Sequence, residues 1–215
     1  MATAGFDRVA SFYDKLGEIV FGGQIQEATA WGMSVLNTHK RILILGGGSG
    51  RLLKELPLER LEGEIAYLEP SPKMILLAQQ YWETLSPNPG LKIEWVVASD
   101  TFLDENTIPF DAIISPFVLD LFKQEQLEVI FERLHQILRP GGHWLYSDFF
   151  IKRDSFRLFR RALILLMYLF FKAMCGVEAW KLPTIHKLFQ EYEYQLIRRE
   201  VFAASMIESV VFQKS

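Results

Sequence analysis

Arg41-Ile-Leu-Ile-Leu-Gly-Gly-Gly-Ser-Gly50 is the stretch that decides the fold. Ile42 to Leu45 is a wholly apolar run with no polar alternation. That is the pattern of a central parallel strand buried on both faces. Glycines follow at once, and Arg51-Leu-Leu-Lys-Glu-Leu56 reads as a short helix stopped by Pro57. In an open parallel sheet, ligands sit beyond the carboxyl ends of the strands, where the strand order reverses. Glycines at that place let the chain turn sharply and let a ligand touch main chain directly.

Two phosphate-binding patterns do not fit the loop. A dinucleotide site wants Gly-x-Gly-x-x-Gly, but the sixth position from Gly46 is Arg51 and the third from Gly47 is Ser49. The Gly-Lys-Ser/Thr of a P-loop is also missing. What remains is Gly46-x-Gly48-x-Gly50, a spacing that a glycine-rich turn in any α/β protein can produce. Glu69 narrows the choice. It ends the next strand, 19 residues after Gly50. A carboxylate there accepts hydrogen bonds from both hydroxyls of a ribose; the plainer alternative is a solvated strand-end carboxylate.

Outward from this unit, strands and helices alternate. Strands are expected at 64–68, 92–97, 111–114 and 143–147, the last entered by a tight Pro140-Gly-Gly142 turn. Helices are expected near 6–36, from Pro72 to about Thr84, from Lys123 to Leu138 and over 154–175. Two closing strands, Tyr192–Arg199 and about Met206–Gln213, are joined too closely for a crossover and form an antiparallel hairpin on one edge. The expected fold is α/β: a doubly wound, seven-stranded, mostly parallel sheet with a C-terminal antiparallel hairpin. Residues 1–36 make a helical cap, and 37–215 the main domain with a helical insert at about 153–190.

Composition bounds the function. The chain has 215 residues, half of them apolar, enough for one domain with a sizeable core. Lys plus Arg is 23 against 26 for Asp plus Glu, a net charge of −3, which excludes a strongly basic protein held to nucleic acid. One cysteine, Cys175, excludes an internal disulfide and any multi-cysteine metal cluster. No metal is expected, because no His/Asp/Glu cluster has ligand spacing. The N-terminus lacks a basic region followed by an apolar core, so a cytoplasmic location is expected. Ala162–Phe171, the most apolar run, is ten residues long, where a bilayer span needs about 20. Around it, Arg153, Arg157, Arg160, Arg161 and Lys172 share one helical face. Such a helix packs on its own domain or lines a pocket; alternatively it lies on anionic lipid or meets a second copy in a homodimer.

The glycine stretch resembles the first motif of the class I S-adenosylmethionine-dependent methyltransferases. Tyr67-Leu-Glu-Pro-Ser-Pro-Lys-Met74 is similar to their second segment, Phe110 to Phe122 to their fourth-strand motif, and Leu138-Arg-Pro-Gly-Gly-His143 to the turn before their fifth strand. The four lie in family order over about residues 38–150. The resemblance implies a Rossmann-like fold, S-adenosylmethionine as cofactor with S-adenosylhomocysteine as product, and methyl transfer to a small acceptor. It places Gly46, Gly48 and Gly50 beside the methionine part of the cofactor and Glu69 on the ribose. Met74, or the Pro70-Ser71 backbone, lies on the adenine; Asp100, or Ser99 after a shift of one, takes the adenine amino group; Ser115 sits near the sulfonium. Tyr13 belongs to an N-terminal segment, Phe12-Tyr13-Asp14, that resembles cofactor-covering helices.

The same resemblance makes the insert and the N-terminal helices the acceptor site, an aromatic pocket to which Phe117, Phe149 and Tyr168 contribute. Asp120 faces it or else caps the next helix. His186 lines it if the insert forms a lid, and is otherwise a surface or packing residue. No catalytic base is named, since a sulfonium methyl is already activated and a base is needed only where the acceptor must lose a proton. One departure stands out. The family usually has an acidic residue two before the first glycine; here it is Ile44. A binding protein that kept the nucleoside site without turnover is therefore a second reading. Aminopropyl transfer is a third, weakened by Ser49 where those enzymes carry Asp.

Overall fold

The computed structural model describes residues 23–97, 103, 108–150 and 184–215, with only the backbone of Asn37. The helix expected over 154–175, and with it Tyr168, Cys175 and the basic stripe, lies outside them, as do Tyr13, Ser99 and Asp100.

Seven strands form one sheet: β1 Arg41–Leu45, β2 Gly63–Leu68, β3 Leu91–Val96, β4 Phe110–Pro116, β5 Leu138–Phe149, β6 Gln195–Phe202 and β7 Ile207–Gln213. Their order is β3-β2-β1-β4-β5-β7-β6. β7 alone runs against its neighbours, pairing antiparallel with both β5 and β6. The doubly wound sheet with its closing hairpin is therefore as expected, and the order reverses between β1 and β4.

β1 lies inside the sheet, between β2 and β4, because it is apolar on both sides. Leu43 and Leu45 join the core on one face with Ile113, Trp144 and Phe212. Against that face pack α3 (Gln124–Ile137) and α4 (Ile185–Glu191), through Leu127, Phe131, Leu134 and Phe189. Ile42 and Ile44 join the other core with Ile65, Tyr67, Ala112 and Ile114. That face is covered by α1 (Gln24–Trp31) and α2 (Pro72–Trp82), with two 3₁₀ turns at Met33–Thr38 and Arg51–Glu55. α1 is pinned to the sheet by Ser209, whose hydroxyl donates to the Ala28 carbonyl at 2.6 Å.

Several local expectations are corrected. Within the described part of 6–36 there is no continuous helix. Gly23 has φ +84°, a left-handed geometry that a right-handed helix cannot pass through, and after Gly32 the chain tightens to 3₁₀. Residues 51–55 are 3₁₀ rather than α, because Leu56, before Pro57, is held extended at ψ 146°. Pro140-Gly-Gly142 is not a turn ahead of β5 but part of it. Pairing shifts from Phe110↔Leu138 to Ala112↔His143, with Gly141 at φ +74°. The sixth strand starts at Gln195 rather than Tyr192. Tyr192 and Tyr194 alternate like strand residues, yet both pack on Phe131 and His135 beside α4.

At the sheet end opposite the glycine loop, His39 Nε2 and His143 Nδ1 lie 3.0 Å apart. Burial lowers both pKa values below the ordinary 6.5, and Arg139 lowers both further; for His143 the neighbouring His39 adds to this, while the Leu36 backbone and Asp111 partly oppose it at His39. A depressed folded pKa means that the unfolded chain binds more protons. This contribution to stability is present above pH 6.5 and is lost as pH falls below it. His143→Gln is accordingly expected to melt with a smaller drop between pH 7.5 and 5.5 than the unaltered chain (pH values approximate). Equal drops would take the pair out of the acid sensitivity.

Candidate functional site

The glycine loop turns at the carboxyl end of β1, where the strand order reverses. Gly46 N–H donates to the Leu68 carbonyl at 2.8 Å, continuing the β1–β2 ladder for one residue. At Gly47 a Cβ would lie 2.2 Å from Cζ of the buried Tyr67, whose hydroxyl donates to the Gly48 carbonyl at 3.1 Å. Gly50 has φ +85°, and its Cβ would meet the Ala78 Cα of α2 at 2.7 Å. The loop is thus squeezed from behind by Tyr67 and α2, which leaves its front to a ligand. Gly48 has φ +62° and nothing within 4 Å of its Cβ position.

Glu69 closes β2 and is 6 % exposed. Its Oε2 accepts from Gly48 N–H at 3.1 Å and its Oε1 from Ser71 N–H at 3.0 Å. One carboxylate therefore ties the glycine loop to the start of α2. Ser71 then caps that helix, its Oγ accepting from Met74 N–H at 3.1 Å, with Pro72 at the first helical position.

Between these pieces and the loop after β4 runs a crevice open to solvent. One wall is Gly46–Ser49, Glu69, Pro70 and Met74; the opposite one is Pro116, Phe117, Val118 and Leu121. Ile25, Gln26 and Thr29 of α1 close it from above, and Arg51, Leu52 and Glu55 form the remaining rim. Gln26 Oε1 is buried and has no hydrogen-bond partner among the described residues.

Of the residues singled out in the sequence, Gly46, Gly48, Glu69, Pro70, Met74 and Phe117 line this crevice, with Gly50 behind it. Ser115 does not line it. Ser115 falls on the α3 face of β4, where its Oγ accepts from Trp144 Nε1 at 2.9 Å. The chain meets the crevice one to three residues later, where Phe117 takes φ +51° and its N–H donates to the Ser147 carbonyl. Phe149 stands behind Phe117, ring centroids 5.1 Å apart, and is not itself a lining residue. Nor is His186, which packs edge-on to Tyr146 and Phe212 with its Nε2 on the buried Glu208; Arg199 holds the other oxygen of Glu208.

Asp120 neither faces the crevice nor caps α3. It lies in the 3₁₀ turn Leu119–Leu121, 2 % exposed, and its N–H donates to Asp148 Oδ2 at 3.1 Å. The N-cap of α3 is Lys123, whose N–H donates to Gln126 Oε1 at 3.4 Å. Burial first, and the Asp120 carboxylate second, push the Asp148 carboxyl well above its ordinary range. A raised folded pKa gives stability that is present below the ordinary value of 3.8 and lost as pH rises through the folded value. Asp120→Asn replaces like charges by a donor and an acceptor. It is expected to raise the melting temperature at about pH 8 and to reduce its fall from about pH 5 to 8. An unchanged profile would contradict this.

The N-terminal helices were expected at the site, but Ile25, Gln26 and Thr29 of α1, and Gly47, Leu52, Glu55, Val118 and Leu121, were not singled out in the sequence. No local pattern marks them, since they meet only once the sheet is wound.

Residues 43–144 match a family model described as a methyltransferase domain. No curated protein sequence matches the chain. Among solved structures, the chain is similar to the N-methyltransferase NodS from Bradyrhizobium japonicum WM9, in complex with S-adenosyl-L-homocysteine: TM-score 0.70 and 17 % identity, over 100 % of this chain and 99 % of that one. It is also similar to Burkholderia thailandensis 1,6-didemethyltoxoflavin-N1-methyltransferase, with TM-score 0.64 and 16 % identity over 100 % and 88 %. Mitomycin 7-O-methyltransferase MmcR follows the same fold, with TM-score 0.63 and 17 % identity over 98 % and 60 %. Residues 43–144 thus match a methyltransferase domain, and the β3-β2-β1-β4-β5-β7-β6 sheet carries the four ordered motifs that resemble those of the class I S-adenosylmethionine-dependent methyltransferases.

Proposed function

We propose that the chain transfers the methyl group of S-adenosylmethionine to a small, partly apolar acceptor bound beside Phe117 and Leu121. The observation that carries this is the single crevice joining the glycine loop and Glu69 on one wall to Pro116–Val118 and Leu121 on the other. The residues fit the cofactor: a dry carboxylate at the strand end, main chain exposed along the loop, an apolar Met74, and an unpartnered oxygen on Gln26. When bound, the cofactor supplies a methyl on a sulfonium, already activated for in-line displacement.

The remaining work falls to this chain's own residues. Glu69 accepts from the ribose hydroxyls, and Pro70 and Met74 pack on the adenine. Ser99, Asp100 and Tyr13 keep the cofactor roles that the family resemblance gives them. Gly46 and Gly48 present main chain to the amino-acid end. Phe117, buttressed by Phe149, fixes the acceptor's approach and excludes water; such orientation supplies several kcal/mol of barrier lowering. Tyr168 and His186 belong to the acceptor side only if the insert closes over it. The similar N1-methyltransferase from Burkholderia thailandensis binds the small acceptor 1,6-didemethyltoxoflavin, which favours a small molecule over a macromolecule.

No helix among the described residues is long and apolar enough to cross a membrane, and we place the protein in the cytoplasm. A lipid surface or a second copy is a further partner motivated by the basic face at 153–172, and liposome sedimentation tests the former. A cofactor sensor without turnover is the second reading, favoured by Ile44, which is 0 % exposed and brings no charge to the site. Transfer of a labelled methyl group across a panel of small aromatic and heterocyclic acceptors separates the two. Turnover on any acceptor supports the enzyme, and tight cofactor binding with none supports the sensor.

A further inference from the structure

Resting on the cofactor reading above, we infer that Gln26 accepts a hydrogen bond from the cofactor's ammonium group, the task that a carboxylate two residues before the first glycine usually performs. The need arises from β1. Ile44 occupies that position, fully buried, and points into the core on the face that α1 and α2 cover. A charged ammonium brought to the glycine loop still requires acceptors, because a buried donor left unpaired is strongly unfavourable. α1 lies on the same face as the Ile44 side chain, and it carries Gln26 into the crevice beside Gly46–Ser49.

Gln26 Oε1 has the properties of that acceptor. Gln26 lines the crevice, and its Oε1 is buried with no partner among the described residues. Buried polar atoms are nearly always paired, so an orphan on a residue that lines a ligand site points to a donor on the ligand. Its neighbours have other partners. Thr29 Oγ1 is a neutral hydroxyl already engaged with the Ile25 carbonyl of its own helix at 2.8 Å. Glu69 is held by the Gly48 and Ser71 N–H groups, and its remaining lone pairs are the ones the ribose hydroxyls take. Among the described residues, Glu55 is the one rival carboxylate on the rim, but its side chain is 26 % exposed and Lys54 Nζ lies 3.5 Å from it. Its charge is countered and hydrated, whereas the oxygen of Gln26 is dry.

The acceptor has thus moved from the strand to the helix and from an anion to a neutral amide. A charged acceptor binds a cation more strongly than a neutral one, so this chain should discriminate for the amino group, but less than a carboxylate would. The test is calorimetric titration of the full chain with S-adenosylhomocysteine and with its analogue in which hydrogen replaces the α-amino group. The unaltered chain is expected to prefer the amine about tenfold, the value of one hydrogen bond to a charged group. Gln26→Leu should abolish the preference while keeping its affinity for the desamino analogue. Gln26→Glu, which presents oxygen at both ends of the group, should enlarge the preference. Glu55→Gln should leave it unchanged. A full preference in Gln26→Leu, or its loss only in Glu55→Gln, overturns the inference while leaving the cofactor reading standing. Failure of the unaltered chain to bind either nucleoside removes both.

Discussion

Gly50→Ala is expected to destabilise the protein by roughly 2–5 kcal/mol and to disable the cofactor crevice. Two costs combine. Gly50 sits at φ +85°, where a Cβ costs about 1–2 kcal/mol. The added methyl would also stand 2.7 Å from the Ala78 Cα, and backbone, unlike the end of a flexible side chain, cannot step aside. Overpacking of this kind costs about 1–3 kcal/mol more. The strain is relieved only by moving the loop off α2. Because Gly50 O accepts from Leu53 N–H at 2.9 Å, that movement would carry the 3₁₀ turn along. For a domain of this size each kcal/mol lowers the melting temperature by about 2–4 °C, so thermal unfolding reads the effect directly. A variant with an unchanged melting temperature and unchanged affinity for S-adenosylhomocysteine would contradict the loop geometry.

Glu69→Ala is expected to weaken cofactor binding by about 1–3 kcal/mol, roughly five- to 150-fold. The carboxylate is dry, and its loss leaves the ribose hydroxyls without their acceptor. It also leaves Gly48 N–H and Ser71 N–H unsatisfied, so the loop loses the tether that holds it against α2. Glu69→Gln keeps one acceptor oxygen and should fall between the two. Calorimetry on the three proteins gives the ranking; equal affinities in all three would take Glu69 out of the site.

How much of this was legible in the sequence depended on how local each signal was. β1 and the glycine turn are set by a continuous apolar run, and they stand in the structure as read, with Glu69 at the end of β2 where its spacing placed it. The sheet order follows from the alternation of elements. Ser115 was misplaced for a reason of parity. Side chains alternate along β4, so Ser115 shares the α3 face with Ile113, and the crevice begins only where the strand ends at Pro116. The buried indole N–H of Trp144, not a ligand, is what Ser115 serves. Asp120 looked like a helix cap because it precedes a helical pattern, but it is held by Asp148, 28 residues away. Tyr192 and Tyr194 mimicked a strand because period-two alternation also arises where a helix ends against a core. Gln26 carried no signal at all: a glutamine on a short helix becomes a candidate ligand only when winding of the sheet sets it over the loop.

The measurement that bears most directly on the central claim is a crystal structure of the chain grown with S-adenosylhomocysteine. The nucleoside should lie along the crevice, both ribose hydroxyls on Glu69, the adenine against Met74, and the amino-acid end between Gly46–Ser49 and Gln26. A nucleoside bound elsewhere on the molecule, or a crevice filled by the chain's own side chains in its presence, would contradict it.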